Sequence, residues 1–475
     1  MLQIKEIFRS YDIRGVYGEK LTDNVAESAA CVFAEHVRQE TGKNHPLVSV
    51  GRDVRFSSAA LTDAVCRGLV KGGADVQLLG VCPSPLTYFS MYCTAADGYV
   101  MVTGSHNPPQ FNGLKVGTKN TVYHSEKIMR IYDDIAAGNF PNPERQGTVT
   151  VFDIKAAYTR YMESSFNDMK DDIKKMNRDI RVVIDCGSGT ASTIAPQLFG
   201  YLGVKVLPLF CTEDGSFPGH HPDPTVEKNL EKAKYLLLKE KADLCVSYDG
   251  DADRLGALNN KGEMIWGDEL LCIFADDIAD KNQGSKVVAD VKAGQGLYEF
   301  IAARGMEPVM YKSGHSMIKM KMKEVGAVIG GEMSSHFFFA DGYYGFDDGI
   351  YASLRLLKAY VNGLKSGKFT KSADMTAAIP EYVNTPEIRE PYPDDKKFDL
   401  IVKLSAVFGR YMENGTNGVK KITDIDGIRI QFENGWALVR ASNTEPLLVT
   451  RYEAVNAAEL EKIKLLITSE LDKLK

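Results

Sequence analysis

Tyr99-Val100-Met101-Val102 is an apolar run that ends at the turn Thr103-Gly104-Ser105-His106-Asn107-Pro108. Four apolar residues followed by Gly, Asn and Pro predict a buried strand that stops at a tight turn. Such a turn presents the hydroxyl of Ser105 at the edge of a sheet, on a rigid support. A hydroxyl placed there can accept a group covalently and return it. His106 lies beside it and suggests a Ser–His pair.

The same sequence of apolar run, turn and helical pattern recurs through most of the chain. Predicted strands include Leu47–Val50, Arg181–Ile184, Ala242–Val246, Lys286–Asp290, Val309–Tyr311 and Ala327–Ile329. Helical patterns follow several of them, at 57–69, from about Thr190, near 296–303 and at 316–325. This alternation predicts an α/β fold with mixed or parallel sheets that are covered by helices.

The end of the chain has a different character. Two strand patterns, 427–432 and 436–440, flank the Asn-Gly turn signal Glu433-Asn434-Gly435. A third strand pattern at 447–452 and a helix from Ala457 follow, which predicts a small α+β domain. The predicted domains are 1–152, 153–262, 263–376 and 377–475.

The composition is that of an ordinary globular protein and narrows the possible partners. The 475 residues are 44% hydrophobic and 25% charged, with a formal net charge of -6. This balance and the lack of a long basic run argue against a nucleic-acid partner. No signal-peptide pattern and no apolar run near the roughly 20 residues of a membrane helix is present. The eight cysteines include no Cys-x-x-Cys pair and are interpreted as buried, reduced thiols of a cytoplasmic protein.

A second motif, Asp249-Gly250-Asp251-Ala252-Asp253-Arg254, carries three carboxylates at alternate positions. In an extended chain these side chains point to one side, where they repel one another unless a cation lies among them. Oxygen ligands favour a hard ion such as Mg²⁺ or Ca²⁺. An EF-hand is excluded, because Arg254 and Lys261 stand where its loop needs Gly and Glu. Arg254 adds a positive charge suited to a phosphate.

Two further polar stretches follow predicted strands. Arg440-Ala441-Ser442-Asn443-Thr444-Glu445-Pro446, with Arg451 beyond it, offers guanidinium, hydroxyl, amide and backbone donors that suit a phosphate. Gly331-Glu332-Met333-Ser334-Ser335-His336 offers a carboxylate, a hydroxyl and an imidazole that could bind sugar hydroxyls. Taken alone, either stretch is also compatible with an ordinary polar turn at a strand end.

Together these motifs resemble one family, the α-D-phosphohexomutases, from Phe8 to about Tyr452. Thr-Gly-Ser-His-Asn-Pro and Gly-Glu-Met-Ser-x-His are similar to its phosphomannomutase/phosphoglucomutase branch. The resemblance implies three related α/β domains plus a smaller C-terminal α+β domain around a central cleft, each contributing one loop. Ala252 and Ser335 stand where the family often has smaller residues, and the added bulk of Ser335 beside the sugar site leaves the preferred hexose open.

The resemblance also implies roles for individual residues. Ser105 would carry the phosphoryl group, and Asp249, Asp251 and Asp253 would bind Mg²⁺ together with an oxygen of phosphorylated Ser105. The implied catalytic residues are Ser105, His106, Lys115, Arg254 and His315, with Lys115 and His315 favoured as general base and His106 as support for the serine turn. The implied substrate-binding residues are Tyr11, Arg14, Lys292, Glu332, Ser334, His336, Arg440, Ser442, Asn443, Thr444 and Arg451.

The implied reaction moves phosphate between the 1- and 6-positions of a hexose (mannose, glucose or both). It runs through phosphoserine and a hexose 1,6-bisphosphate, which also serves as activator. Alternatives are a metal-dependent sugar-phosphate phosphatase and a phosphoglucosamine mutase of the same family. A catalytically silent sugar-phosphate sensor is disfavoured, because Ser105 and the three aspartates are intact. We expect a monomer or homodimer whose partners are small hexose phosphates.

Overall fold

The computed structural model describes residues 4–119, 122–442 and 446–474. The strands within these ranges are β1 (Ile13–Val16), β2 (Leu47–Arg52), β3 (Asp75–Val81), β4 (Gly98–Val102), β5 (Phe111–Thr118), β6 (Val149–Val151), β7 (Arg181–Asp185), β8 (Lys205–Leu209), β9 (Leu244–Tyr248), β10 (Leu255–Asn259), β11 (Met264–Ile265), β12 (Lys286–Asp290), β13 (Glu307–Tyr311), β14 (Ile329–Gly331), β15 (Phe337–Phe339), β16 (Val383–Asn384), β17 (Ile388–Pro391), β18 (Val419–Thr423), β19 (Ile428–Phe432), β20 (Gly435–Ala441) and β21 (Leu447–Ala454). The α-helices are α1 (Asp23–Thr41), α2 (Ser58–Lys71), α3 (Ser84–Cys93), α4 (Glu126–Ala137), α5 (Ile154–Ser165), α6 (Asn167–Lys175), α7 (Ala195–Tyr201), α8 (Glu231–Glu240), α9 (Gly267–Ile278), α10 (Gln295–Ala303), α11 (His315–Val325), α12 (Gly349–Ser366), α13 (Lys397–Glu413) and α14 (Ala457–Leu474).

The described residues group into two compact units. The first contains the residues up to Gly267 together with Ser334–Met375, and the second contains Asp268–Met333 together with the residues from Thr376 onward. The units do not follow the predicted domain boundaries one to one, because Ser334–Met375 belongs to the first unit.

The first unit contains two mixed sheets. Their strand orders are β1-β5-β4-β2-β3-β6 and β11-β10-β9-β7-β8. In the first sheet β2 is parallel to β3 and β4, and in the second β7 is parallel to β8 and β9. The carboxyl ends of neighbouring parallel strands meet at one edge of a sheet, where ligand-binding loops of α/β proteins lie. The turn at Ser105 follows β4, and the three aspartates follow β9 at such edges.

Buried apolar residues of strands and helices form the core of the first sheet. Val48 and Val50 on β2 pack with Leu61 and Val65 on α2, and all four are fully buried. Removing such side chains from water contributes about 1.5–3 kcal/mol each. The apolar runs that predicted strands in the sequence therefore also anchor the strand ends that carry the polar loops.

The second unit joins a parallel sheet to an antiparallel one. Strand β12 is parallel to β13 and β14, and the C-terminal sheet has the order β16-β21-β20-β19-β18, with β17 also pairing with β21. The predicted hairpin is confirmed as β19 and β20, with Glu433 and Asn434 between them. Buried Arg429 links the two sheets, because its Nη1 donates to the carbonyls of Val291 (2.6 Å) and Ala293 (2.7 Å).

The composition led to expectations about the cysteines and about membrane-spanning helices. All eight cysteines are free thiols, but the expectation that all are buried is wrong. Cys93 is exposed, and Cys66 and Cys211 are only partly buried, because they lie on helix and loop surfaces that the sheet does not cover. No helix within the described ranges is long and apolar enough to cross a membrane.

Candidate active site

Ser105 lies just past the carboxyl end of β4 in a strained backbone conformation. It is 4% exposed, and its φ of 49° falls in the left-handed region that residues with a side chain rarely adopt. Its Oγ donates to Oδ2 of Asp249 (3.1 Å) and lies 3.2 Å from Nδ1 of His106. Burial and the charge of Arg254 lower the pKa of His106, so its imidazole is neutral beside the hydroxyl.

The three aspartates occupy a turn between β9 and β10. The expectation of an extended chain is wrong here, because Ala252 has a φ of 57° and its N–H donates to the carbonyl of Asp249 (3.1 Å). The turn still gathers the carboxylates of Asp249, Asp251 and Asp253, whose ligand oxygens lie within 4.8 Å of one another. Each aspartate is at most 1% exposed. Glycine is required at 250, where a Cβ would lie 2.7 Å from the carbonyl oxygen of Ser105.

The electrostatics of this turn fit a cation. Burial and the neighbouring charges of Asp253 and Asp251 raise the pKa of Asp249 well above its usual range. Oδ1 of Asp251 is buried and has no hydrogen-bond partner among the described residues. Buried carboxylates stay ionised only when positive charge balances them. The donor set, with oxygen ligands alone, suits a hard divalent ion such as Mg²⁺ or Ca²⁺.

Lys115 on β5 already contributes positive charge to the aspartates. Its Nζ lies 2.7 Å from Oδ2 of Asp251 and 2.6 Å from Oδ2 of Asp253. Burial opposes this charge, but the two carboxylates raise the pKa of Lys115 above its usual range. The hydroxyl of Ser84 also donates to Oδ2 of Asp251 (2.5 Å). Lys115 is therefore held as an ammonium group in this arrangement.

Arg254, Ser334 and His336 lie beside the same turn in the first unit. The backbone N–H of Arg254 donates to Oδ1 of Asp249 (3.2 Å), and Arg254 pairs with His336 in an antiparallel bridge. Nε2 of His336 lies 3.4 Å from Oδ1 of Asp253, and its Nδ1 lies 3.3 Å from Oγ of Ser334. These contacts bring residues from two distant sequence motifs to one place.

Arg14 on β1 contacts the serine turn directly. Its Nη1 donates to the carbonyl of Gly104 (2.6 Å) and to Oδ1 of Asn107 (2.6 Å), and it forms an ion pair with Asp12. Tyr11 lies two residues before β1 and is partly exposed. The structure thus adds to the predicted role of Arg14 in substrate binding, since Arg14 also supports the turn that carries the hydroxyl.

Asp53 and Arg55, which follow β2, were not identified from the sequence. Asp53 Oδ2 accepts from the N–H of Gly104 (3.0 Å), from Oγ1 of Thr103 (2.9 Å) and from Nε of Arg55 (3.0 Å). Arg55 donates to four main-chain carbonyls, those of Ser105 (2.8 Å), Asn107 (2.6 Å), Pro108 (2.6 Å) and Phe111 (3.1 Å). One sequence feature could have indicated these two residues: they are a pair of opposite charges directly after a buried strand, at the edge of the sheet where Ser105 also lies.

The second unit contains a group of charged residues around the end of β12. Oδ2 of Asp290 accepts from Oγ of Ser313 (2.8 Å), and burial raises the pKa of Asp290 to about 6. Nζ of Lys292 lies 3.0 Å from Oε1 of Glu387 and 3.7 Å from Oδ2 of Asp290. Glu332 is 3% exposed, and its Oε1 accepts from the N–H of Gly314 (2.6 Å), next to His315 at the start of α11.

The predicted phosphate-binding arginines also lie in the second unit. Nη2 of Arg440 lies 3.0 Å from Oδ2 of Asp426. Arg451 donates to the carbonyl of Lys292 and lies 4.0 Å from Oδ2 of Asp268. Ser442 is 7% exposed. The predicted residues Asn443 and Thr444 lie outside the described residues.

The predicted site residues therefore form two groups, each within one unit. The first unit holds Tyr11, Arg14, Ser105, His106, Lys115, Asp249, Asp251, Asp253, Arg254, Ser334 and His336. The second unit holds Lys292, His315, Glu332, Arg440, Ser442 and Arg451.

The chain matches four domains of one protein family in order. They are phosphoglucomutase/phosphomannomutase alpha/beta/alpha domain I at residues 5–142, domain II at 156–262, domain III at 266–378 and the C-terminal domain at 387–469.

Similar proteins agree with this match. The phosphomannomutase/phosphoglucomutase of Pseudomonas aeruginosa is 40% identical over 465 residues, which cover 98% of this chain and 95% of that protein. The phosphoglucomutase of Neisseria gonorrhoeae is 35% identical over 460 residues, or 97% of this chain and 95% of that protein. A solved structure of a phosphoglucomutase/phosphomannomutase family protein from Burkholderia thailandensis has a TM-score of 0.89 and 34% identity, and covers 100% of this chain and 98% of that chain.

Fold and site together define a phosphohexomutase. The chain belongs to the phosphoglucomutase/phosphomannomutase family.

Proposed function

We propose that the chain reversibly transfers phosphate between the 1- and 6-positions of glucose phosphate, mannose phosphate or both. Ser105 is the phosphoryl carrier, and a hexose 1,6-bisphosphate is the intermediate and activator. The observation that carries this proposal is the contact of Ser105 Oγ with Asp249 (3.1 Å) in a cluster of three converging carboxylates. The names of the relatives from Pseudomonas and Neisseria support the same reaction.

In the proposed cycle, phosphorylated Ser105 gives its phosphoryl group to the free hydroxyl of a hexose monophosphate. The P–O bond to Ser105 Oγ breaks, a bond to the sugar oxygen forms, and the sugar hydroxyl loses its proton. The resulting bisphosphate reorients and returns its other phosphoryl group to Ser105 Oγ. Fixed groups can catalyse this transfer mainly by positioning and by charge stabilisation.

The aspartates and their cationic neighbours supply that charge stabilisation. We propose that Mg²⁺ binds Asp249, Asp251 and Asp253, where, when bound, it offsets negative charge on the transferring phosphoryl group. Arg254 adds a guanidinium beside Asp249. Lys115 is held as an ammonium by Asp251 and Asp253, so of the two expected general bases it is the less able to accept a proton, and it contributes positive charge instead. His315 has the lower ordinary pKa and is the proposed acceptor of the sugar proton.

The remaining site residues are proposed to bind the substrate. Glu332 and Ser334 would accept and donate hydrogen bonds to two sugar hydroxyls. The phosphate that is not being transferred is proposed to bind to the C-terminal phosphate loop and its neighbour, namely Arg440, Ser442, Asn443, Thr444 and Arg451. Further contacts with the substrate are proposed for Tyr11, Arg14, Lys292 and His336. Neutral His106 supports the serine turn. For Asn443 and Thr444 this role rests on the sequence pattern alone.

The proposed setting follows from these substrates. Hexose phosphates and reduced thiols are typical of the cytoplasm. We infer that the chain works there on small molecules, as a monomer or homodimer.

Product analysis distinguishes this function from its alternatives. The enzyme is incubated with Mg²⁺, a trace of glucose 1,6-bisphosphate and, separately, glucose, mannose or glucosamine 1-phosphate. We expect the 6-phosphates of glucose, mannose or both to form, with little inorganic phosphate. Inorganic phosphate as the main product would identify a phosphatase, and turnover of glucosamine 1-phosphate alone would identify a phosphoglucosamine mutase.

Replacing Asp251 by Asn tests the metal role. The change keeps the shape of the side chain but removes one of three ligand charges. We expect the Mg²⁺ concentration for half-maximal activity to rise by on the order of tenfold or more, since even changes beyond the direct ligands often cost that much. Calorimetric Mg²⁺ titration of both proteins measures the same loss without turnover. Exposed Asp171→Asn, on α6, is the matched control, and an unchanged Mg²⁺ response in Asp251→Asn would contradict the assignment.

A further inference from the structure

Two cysteines outside the proposed chemistry lie in contact at the edge of the second sheet. Cys186 directly follows β7, and Cys211 follows the adjacent parallel strand β8. Their sulfur atoms are 3.2 Å apart. Cys186 is fully buried, whereas Cys211 is partly exposed. A solvent-borne reagent therefore has access to the second thiol of the pair first.

The two thiols differ in reactivity as well as in exposure. The hydrogen bond between the two thiols lowers the pKa of Cys211, and burial raises the pKa of Cys186 well above its usual range. A thiolate is the nucleophilic form of cysteine. Cys211 therefore has the character of an attacking thiol, and Cys186 stands next to it as a resolving thiol.

We propose that Cys186 and Cys211 form an oxidation site that peroxides convert into an intrachain disulfide. The Cys211 thiolate attacks one peroxide oxygen and breaks the O–O bond, which gives a sulfenic acid and, after protonation of the leaving oxygen, water or an alcohol. The Cys186 sulfur then attacks Sγ of Cys211, and the S–OH oxygen leaves with the Cys186 proton as water. The two thiols lose two electrons in total, and the peroxide gains them.

Formation of this disulfide is expected to displace the turn that holds the three aspartates. A disulfide is about 2.05 Å long, so the sulfurs must approach by roughly 1 Å from their present distance. The turn after Cys186 is packed closely against Gly250, because a Cβ on Gly189 would lie 2.7 Å from the carbonyl oxygen of Gly250. The N–H of Thr190 donates to that same oxygen (3.1 Å). Gly250 stands between Asp249 and Asp251, so movement of the thiol turn displaces the carboxylates.

A displacement of this size can lower turnover strongly, since misplacement by about 1 Å can cost on the order of 10²-fold. We expect kcat to fall by roughly tenfold or more on oxidation and to recover with a thiol reductant. This effect on turnover rests on the proposed function, whereas the disulfide itself does not.

The test therefore measures the covalent link and the activity separately. The reduced full-length protein is treated with hydrogen peroxide, its remaining thiols are alkylated, and it is digested with trypsin. The peptides Val182–Lys205 and Val206–Lys228 are expected as one linked species that is two hydrogens lighter than their sum. Cys211→Ser should lose both the link and the peroxide sensitivity, while the matched control Cys93→Ser, at an exposed cysteine, should keep both.

The possible outcomes separate the two parts of the proposal. The link together with reversible loss of kcat in wild type supports both parts. Absence of the link at peroxide levels that oxidise Cys93 overturns the oxidation site. A complete link with unchanged kcat overturns its coupling to the aspartate turn. If the chain has no mutase activity in the reduced form, the proposed function fails while the peptide link still tests the thiol pair.

Discussion

Replacing Ser105 by alanine is expected to abolish mutase turnover, with a loss on the order of 10⁴-fold or more, as is typical when a covalent nucleophile is removed. The physical reason is that the proposed cycle passes every phosphoryl group through Ser105 Oγ, and Asp249 orients that oxygen at 3.1 Å. Glucose 1-phosphate turnover at saturating bisphosphate measures the effect. Intact mass after incubation with glucose 1,6-bisphosphate should show a phosphoryl adduct on wild type and none on the variant.

Folding must be unaffected for this result to be informative. Alanine lacks only the hydroxyl. The contacts that Arg55 and Arg14 make with the turn go to main-chain carbonyls and to the Asn107 side chain, all of which remain. We therefore expect nearly the same thermal unfolding as wild type. Ser165→Ala, at an exposed serine on α5, is the matched control and should keep full activity. Mutase activity of Ser105→Ala within tenfold of wild type would refute the assignment of the carrier.

Part of the order of strands and helices could be predicted, because local sequence determines it. The predicted strand Lys286–Asp290 has the same bounds in the structure, since an apolar run bounded by turn residues needs no distant partner to define it. The predicted strands Ala242–Val246 and Ala327–Ile329 instead lie two residues later, as β9 and β14, because the ends of a strand also depend on its partners in the sheet. The helix expected from about Thr190 instead starts with a short 3₁₀ segment, and α7 begins at Ala195, next to Pro196 in its first turn.

The grouping of Ser334–Met375 with the first unit could not be predicted in this way. The hydroxyl of Tyr158 donates to Oδ2 of Asp348 (2.8 Å), and the N–H of Gly349 donates to the carbonyl of Ala252 (3.1 Å). Both contacts join residues far apart in sequence, and hydrophobic periodicity carries no information about such partners.

For the candidate site, the residue types could be predicted from the sequence, but the backbone conformation and the main-chain contacts could not. Chemical type and spacing were enough to single out Asp249, Asp251 and Asp253, and the structure gathers their oxygens. The backbone conformation at these residues was predicted wrongly. Alternate positions on an extended strand and a turn through Ala252 at a φ of 57° both bring the side chains together, so the spacing alone does not distinguish the two. A functional role for Arg55 was not predicted, because its partners are main-chain carbonyls and a side-chain motif carries no information about such contacts.

Arg55→Lys is expected to lower kcat by on the order of 10²-fold with little change in KM. Arg55 is fully buried and its planar guanidinium donates to four carbonyls of the serine turn at once. An ammonium group keeps the charge opposite Asp53 but has only three donors without the planar fork. The turn then no longer holds Ser105 in its left-handed conformation, and a nucleophile that is misplaced by about 1 Å can lose this much rate.

The ratio of kcat to KM effects separates positioning from general destabilisation. The proposed sugar contacts do not involve Arg55, so hexose phosphate should still bind to Arg55→Lys, while phosphorylation of Ser105 by the bisphosphate slows. Arg55→Met should in addition lower the free energy of unfolding by about 3–5 kcal/mol, because Asp53 would be left as a buried, unpaired charge. Arg52→Lys, at a partly exposed arginine of the same strand end, is the matched control for the loss of a guanidinium. Wild-type kcat in Arg55→Lys, or an equal loss in Arg52→Lys, would show that the four carbonyl contacts do not position the serine.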